Sequence, residues 1–113
     1  MLRSLLAVAA LSLAASPALA ADGAQLFNMQ CKMCHAGGPM GPSLNGVAGA
    51  KIAAKPGFAY SPALKGKDGT WTDANLDAFL KAPTQFAPGT RMMIAVPSDA
   101  NRAAVIAYLK TLK

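Results

Sequence analysis

Cys31-Lys32-Met33-Cys34-His35 places two thiols and an imidazole within five residues, and they are the only cysteines and the only histidine of the 113-residue chain. On a helical turn, side chains at i and i+3 share a face, so both sulfurs can reach one flat ligand. Covalent attachment of a haem through its two vinyl-derived carbons uses this spacing. His35 follows at once and can turn its ring beneath the iron as the proximal axial ligand. Two other chemistries use Cys-x-x-Cys. A structural zinc site needs four protein ligands, and no further Cys or His is present to complete one. A redox dithiol sits near a βαβ pattern, and none flanks this motif. The motif therefore reads as the site of one covalent haem c, with its iron, bound through Cys31 and Cys34.

An iron with one protein ligand is open to gas or peroxide, whereas an iron with two is built for electron transfer. With His35 used, the candidates for a second ligand are methionines far from it in sequence. Met92 and Met93 follow Pro88-Gly89-Thr90-Arg91. Methionine usually fills cores, but a polar loop shaped by Pro and Gly is a poor place for core filler. By residue type alone, both sulfurs remain candidates.

Three helices are expected to carry these groups. The first runs from Asp22, a possible N-cap, to Met33, with Leu26, Phe27 and Met33 as apolar positions. Gly23 shares a face with Phe27, where it either permits close backbone approach or marks a frayed N-terminus. The second begins after Thr72 as N-cap, with Asp73 in its first turn, Leu76, Phe79 and Leu80 as an apolar stripe, and Pro83 at its end. The third spans about Asp99 to Thr111, with Val105, Ile106, Tyr108 and Leu109 on its apolar face. Gly37 to Pro42 reads as a tight loop, and residues 43–70, rich in Gly and Pro, as irregular coil. No stretch alternates for long enough to be a strand, so the expected fold class is all-α with much coil. There is no internal repeat. A domain this small often needs a staple, and a large apolar cofactor would serve as one.

The chain begins with a different kind of segment. Arg3, an apolar run from Leu5 to Ala15, and Ala18-Leu19-Ala20 match the three regions of a bacterial secretory signal, with cleavage after Ala20. The competing reading is an uncleaved anchor, for which the run is short and rich in Ala and Ser. The domains are then residues 1–20, a cleaved signal peptide, and residues 21–113, one exported and soluble domain. That assigns the chain to the periplasm, with no stable membrane insertion after cleavage. Removal of residues 1–20 takes Arg3 with it and lowers the formal charge from +6 to +5; the chain has no Glu. Such an excess suits acidic partners, while export argues against nucleic acid.

These segments together resemble the class I c-type cytochromes, in the mitochondrial-like and bacterial short-chain branch, over residues 22–113. The matching segments are Cys31 to His35, Gly41-Pro42-Ser43-Leu44, Pro56-Gly57-Phe58-Ala59-Tyr60-Ser61, Trp71, Pro88-Gly89-Thr90-Arg91-Met92 and Ile106 to Lys110. The resemblance implies a fold of three main short helices and coil wrapped around one covalent haem. It implies that the Pro42 carbonyl accepts a hydrogen bond from His35, that Tyr60 and Trp71 lie at the propionate end, and that Met92 is the distal ligand. Met93, one residue on, is the alternative. It also implies that the last helix packs across the first, against Gly23 and Phe27. Phe79 stands where many relatives carry a Tyr that bonds the ligand sulfur, Ala50 where a basic residue lies near a propionate, and Leu64 where an Asn often joins a water network.

The function implied is electron transfer, not enzymatic catalysis: one His/Met-ligated haem cycling between Fe(III) and Fe(II). The expected protein is a monomeric periplasmic carrier in a respiratory chain, between a cytochrome bc complex or dehydrogenase and an oxidase. The alternative is a dedicated haem c subunit of a larger periplasmic oxidoreductase. An open-site peroxidase or gas binder and a dithiol oxidoreductase are further rivals. Lys32, Lys81 and Arg91 flank the attachment motif and the methionine loop and form a possible docking surface for acidic redox proteins.

Overall fold

A computed structural model describes residues 22–113. The signal peptide assigned to residues 1–20 lies outside the described residues.

The first helix is longer than the sequence implies, and it is not uniform. It comprises α1 (Gly23–Leu26), a π-helical turn (Phe27–Cys31) and α2 (Lys32–His35). Asp22 caps it, its carboxylate accepting from the Ala24 N–H at 3.1 Å. The π turn has a steric logic. Four residues overshoot a full α-helical turn by about 40°, so Gly23, Phe27 and Cys31 would drift around a regular helix. A wider π turn winds the other way and keeps all three on the buried side. Met33, expected on the apolar face, is 86 % exposed instead, because the turn that aims Cys31 and Cys34 inward aims Met33 out.

The coil from 43 to 70 is more ordered than its composition implies. It contains α3 (Pro62–Lys65), capped by Ser61, whose hydroxyl accepts from the Leu64 N–H. Its two arms are laced together by Gly49 N to Trp71 O (2.9 Å), Trp71 N to Ala50 O (2.7 Å) and Ile52 N to Gly69 O (3.1 Å). Only an isolated Lys51–Thr70 bridge results, and the described residues contain no strand.

Thr72 and Ser98 cap the two remaining long helices, α4 (Asp73–Lys81) and α6 (Asp99–Leu109). Pro83 does not merely end α4: after the extended Ala82 it opens a further short helix, α5 (Pro83–Phe86), where its missing N–H costs nothing. The last helix ends at Leu109 rather than Thr111, and the final residues form a turn.

Packing follows from the buried faces. α1 lies across α6, and α6 also packs on α4, which contacts α5. Phe27 and Tyr108 meet at the first crossing with ring centroids 5.1 Å apart. Gly23 makes that crossing possible: a Cβ there would lie 2.1 Å from the Ala104 carbonyl oxygen and 3.0 Å from Tyr108 Cβ. Gly23→Ala sets two effects against each other. Alanine favours a helix by about 1 kcal/mol, but overpacking against backbone costs about 1–3 kcal/mol or more. The clash wins because α6 backbone cannot yield alone. Equilibrium unfolding should show a lower denaturant midpoint with an unchanged slope, a net loss on the order of 1–2 kcal/mol.

Candidate functional site

Between α2, α4, α6 and the coil lies a cavity of about 410 Å³. Cys31, Cys34, His35 and Met92 all line it, although Met92 is 57 or more positions from the other three in sequence. Most of the buried apolar side chains, among them Leu64, Phe79, Leu80, Val96 and Val105, face the same space. A cavity so lined is suited to a flat apolar group held by a few chemically specific side chains.

Each donor is positioned locally. Cys31 closes the π turn and is buried, and Cys34 follows one turn later, half-buried. Burial pushes the Cys31 thiol above its ordinary range, with the neighbouring Cys34 adding to the effect. A nucleophilic dithiol needs the opposite, a lowered thiol at an exposed helix N-terminus. Among the described residues no group of three or more His, Cys, Asp or Glu could hold a metal ion, so the zinc reading has no ligand set.

His35 Nδ1 lies 2.8 Å from the Pro42 carbonyl oxygen. A carbonyl can only accept, so Nδ1 carries the ring proton and Nε2 keeps its lone pair. The imidazole is thus oriented as a metal ligand, with its other nitrogen anchored to backbone. Gly41 makes room for this bond, since a Cβ at that position would sit 2.9 Å from His35 Nδ1 and from the Cys34 carbonyl oxygen.

In the loop before Met92, Ala87 accepts from the Thr90 N–H at 2.9 Å, and the Thr90 hydroxyl accepts from the Met92 N–H at 3.4 Å. This turn leaves Met92 half-buried and packed against the core, while Met93 is 77 % exposed. Met93 still touches the cavity rim, as do Met40 and Ile94. The two sulfurs therefore have different environments, a distinction that sequence position alone does not make.

Trp71, Phe79 and Phe86 form a triangle of rings with centroids 5.2–5.8 Å apart, closing one wall. Phe79 is buried there with no hydroxyl to offer. Leu64 is likewise a dry contributor to the lining, and at the rim Lys51 and Lys55 stand beside Ala50. Of the suspected docking residues, Lys32, Lys81 and Arg91 are all exposed. Arg91 is also tied down, donating to the Ala59 carbonyl with its guanidinium 5.4 Å from the centre of the Phe58 ring.

A short-helix shell around a cavity lined by Cys-x-x-Cys-His and a distant methionine suits a protein that holds a haem covalently. Comparison with known proteins names the family. The Cytochrome c family profile matches residues 20–113. Cytochrome c2 of Rhodomicrobium vannielii is 43 % identical over 112 residues, covering 91 % of this chain and 89 % of that protein. Cytochrome c-type cyt cy of Rhodobacter capsulatus is 46 % identical over 94 residues, 80 % of this chain; the match spans only 47 % of the relative's length. Among solved structures, cytochrome cH from Methylobacterium extorquens superimposes with a TM-score of 0.74 at 38 % identity, covering 81 % of this chain and 97 % of that one. The chain belongs to the cytochrome c family as a class I c-type cytochrome, which carries one covalent haem c and transfers electrons without acting as an enzyme.

Tyr60 gives the site a pH signature. Burial raises its phenol above the ordinary tyrosine range, and a hydrogen bond with the Lys55 backbone only partly opposes this. A raised folded-state pKa means the contribution to stability is complete below the unfolded tyrosine range and is lost as pH rises through the folded value. Tyr60→Phe should remove that alkaline loss. Ultraviolet difference titration of the variant against the parent should show one phenol ionising later than free tyrosine.

Proposed function

We propose that Cys31 and Cys34 carry the haem by thioether bonds, that His35 and Met92 are its axial ligands, and that the protein is a periplasmic electron carrier. The observation that carries this reading is the convergence of all four side chains on one apolar cavity, with the His35 ring fixed at 2.8 Å by Pro42. When bound, the haem supplies a one-electron Fe(III)/Fe(II) couple, with axial-ligand identity moving such potentials over about 0.8 V.

The chain's own residues do the rest. The Pro42 carbonyl accepts from His35 Nδ1–H, which would leave the Nε2 lone pair to hold the iron. The Met92 thioether is a soft donor and favours the reduced state. Leu64, Phe79, Leu80 and Val105 keep water from the cavity, which penalises the more charged oxidised state. His35, held by Pro42, and Met92, held by its turn, would keep their places in either oxidation state of a bound haem, which would keep reorganisation small. The half-buried setting of Met92 and the exposure of Met93 favour Met92 as the donor.

Export through residues 1–20, with cleavage after Ala20, is supported by their signal-like pattern. Among the described residues no helix is long and apolar enough to cross a membrane. The partners of this reading are acidic-surfaced redox proteins: a cytochrome bc complex or dehydrogenase as donor and an oxidase as acceptor, met by a monomer. A carrier that meets several partners differs from a dedicated oxidoreductase subunit in how it associates, transiently rather than by stable co-purification. Lys32, Lys81 and Arg91 would frame the docking face, with the exposed Met40, Met93 and Ile94 on the cavity rim between the charges and the partner.

Two measurements test this. Met92→Ala should abolish the ferric methionine–iron absorption band and let the reduced protein bind carbon monoxide, while Met93→Ala should do neither. The reverse pattern would assign the ligand to Met93, and carbon monoxide binding by the unaltered protein would sink the two-ligand site. Electron transfer to an acidic partner should slow several-fold as salt rises from about 0.01 M to 0.15 M, where the screening length falls from about 30 Å to 8 Å. A salt-independent rate would remove the lysines from the docking face.

A further inference from the structure

Among the described residues, Arg102 is the one buried charge, 2 % exposed in the middle of α6. A guanidinium out of water persists only where its donors are satisfied, and the partners of this one are informative. Its Nε donates to Asp77 Oδ1 on α4 at 2.8 Å, and Nη2 donates to Asp99 on its own helix. Nη1 donates to two backbone carbonyls, Val96 at 2.9 Å and Pro97 at 3.0 Å. The aspartates hold the fork still and balance its charge. The carbonyls are the end of the segment that carries Met92.

That segment has little else to hold it. Pro88, Gly89, Met93, Ile94 and Ala95 are exposed, and Met92 is only half-buried. At its far end Val96 is fixed at both backbone atoms, its N–H donating to Leu80 O at 2.8 Å and its carbonyl accepting from Arg102. At its near end Arg91 donates to Ala59 O and stacks over Phe58, which also lines the cavity. Two arginines thus pin the loop on either side of the methionine. Lysine would not replace Arg102, because one ammonium cannot reach two carbonyls and a carboxylate on α4 in a fixed fork.

We propose that Arg102 and Arg91 are positioning residues for the axial ligand: by clamping both ends of the 91–97 loop, they set how often Met92 leaves the iron. This rests on the reading of Met92 as the distal ligand. A purely structural arginine would lower global stability without changing what the folded protein does. A clamp shows itself in the native state.

The test uses the haem-loaded protein in its ferric state, with imidazole as the probe. When an entering ligand must wait for Met92 to leave, the binding rate saturates at the opening rate of the loop. Arg91→Gln and Arg102→Lys should each raise that saturating rate about tenfold, the factor expected for losing a charged hydrogen bond. Arg91→Lys, which keeps a donor but loses the planar stack, should fall between. Amide hydrogen exchange at Val96 should quicken in Arg102→Lys alone. Should Arg102→Lys fail to fold, Asp77→Asn keeps the arginine but frees its fork, and it should raise the rate by a smaller factor. Unchanged saturating rates in folded Arg91→Gln and in Arg102→Lys or Asp77→Asn would overturn the clamp. Met92→Ala separates the two ideas: it should bind imidazole with no saturation, and if it keeps the parental limit, the ligand assignment fails rather than the clamp.

Discussion

The cavity governs this structure because the side chains that should form a hydrophobic core are the ones that face it. Leu76, Phe79 and Leu80 of α4 and Val105 and Leu109 of α6 are buried in the shell and still line the central space. Helices as short as α3 and α5 have only one turn each and cannot be stable by propensity. Their order depends on what they pack against, and a covalent haem provides that surface. Attachment is therefore a folding element as well as a functional one. The bond that fixes His35 to Pro42, the π turn that presents Cys31 and the glycines at 23 and 41 all serve one geometry.

The sequence carried much of this, for physical reasons that can be named. Thiol and imidazole spacing is a local property, so Cys31, Cys34 and His35 are legible without a fold. Caps are local too: Asp22 and Thr72 each make the side-chain bond expected of them, and Ser98 caps α6 in the same way. The π turn was not legible, because it comes from a conflict between the register of Cys31 and that of Gly23 against α6. Met33 was misplaced for the same reason. Pro83 read as a stop because proline cannot continue a helix, but an extended residue before it allows a fresh start. Arg102 went unnoticed as well. A single arginine in an amphipathic helix looks like a solvated charge until Asp77, from a different helix, and the end of a loop are seen around it.

Charge has two separate uses in this chain, and the structure divides them. Asp73, Asp77 and Asp99 all pair with cations of α6, Lys110 (2.6 Å) and Arg102. Asp73 and Asp77 thus tie α4 to α6 and its C-cap residue, while Asp99 pairs within α6, which leaves most of the positive excess unneutralised on the rest of the surface. Arg91, Lys55 and Lys67 are each partly occupied, with Ala59 O, Asn45 O and the Phe86 ring. Lys32 and Lys81 make no such contacts. A net charge of +6 for the full chain therefore overstates what a partner could use for steering, since cations bound to the protein's own carbonyls and rings act first to close the cavity.

The same division bears on the redox site. An axial thioether gives a high potential only while it stays bound, and a hydrogen bond to its sulfur could both tune and hold it. Phe79 offers no donor from the cavity wall, so that means of control is absent at this position. What remains is backbone: Thr90 on the Met92 N–H, Arg102 on the far end of the loop and Arg91 on the near end. On the proposed assignment of Met92, control of the ligand would lie in the rigidity of the loop rather than in a bond to the sulfur. Such a site can exclude exogenous ligands without a polar group near the iron, keeping the cavity dry and the reorganisation between redox states small.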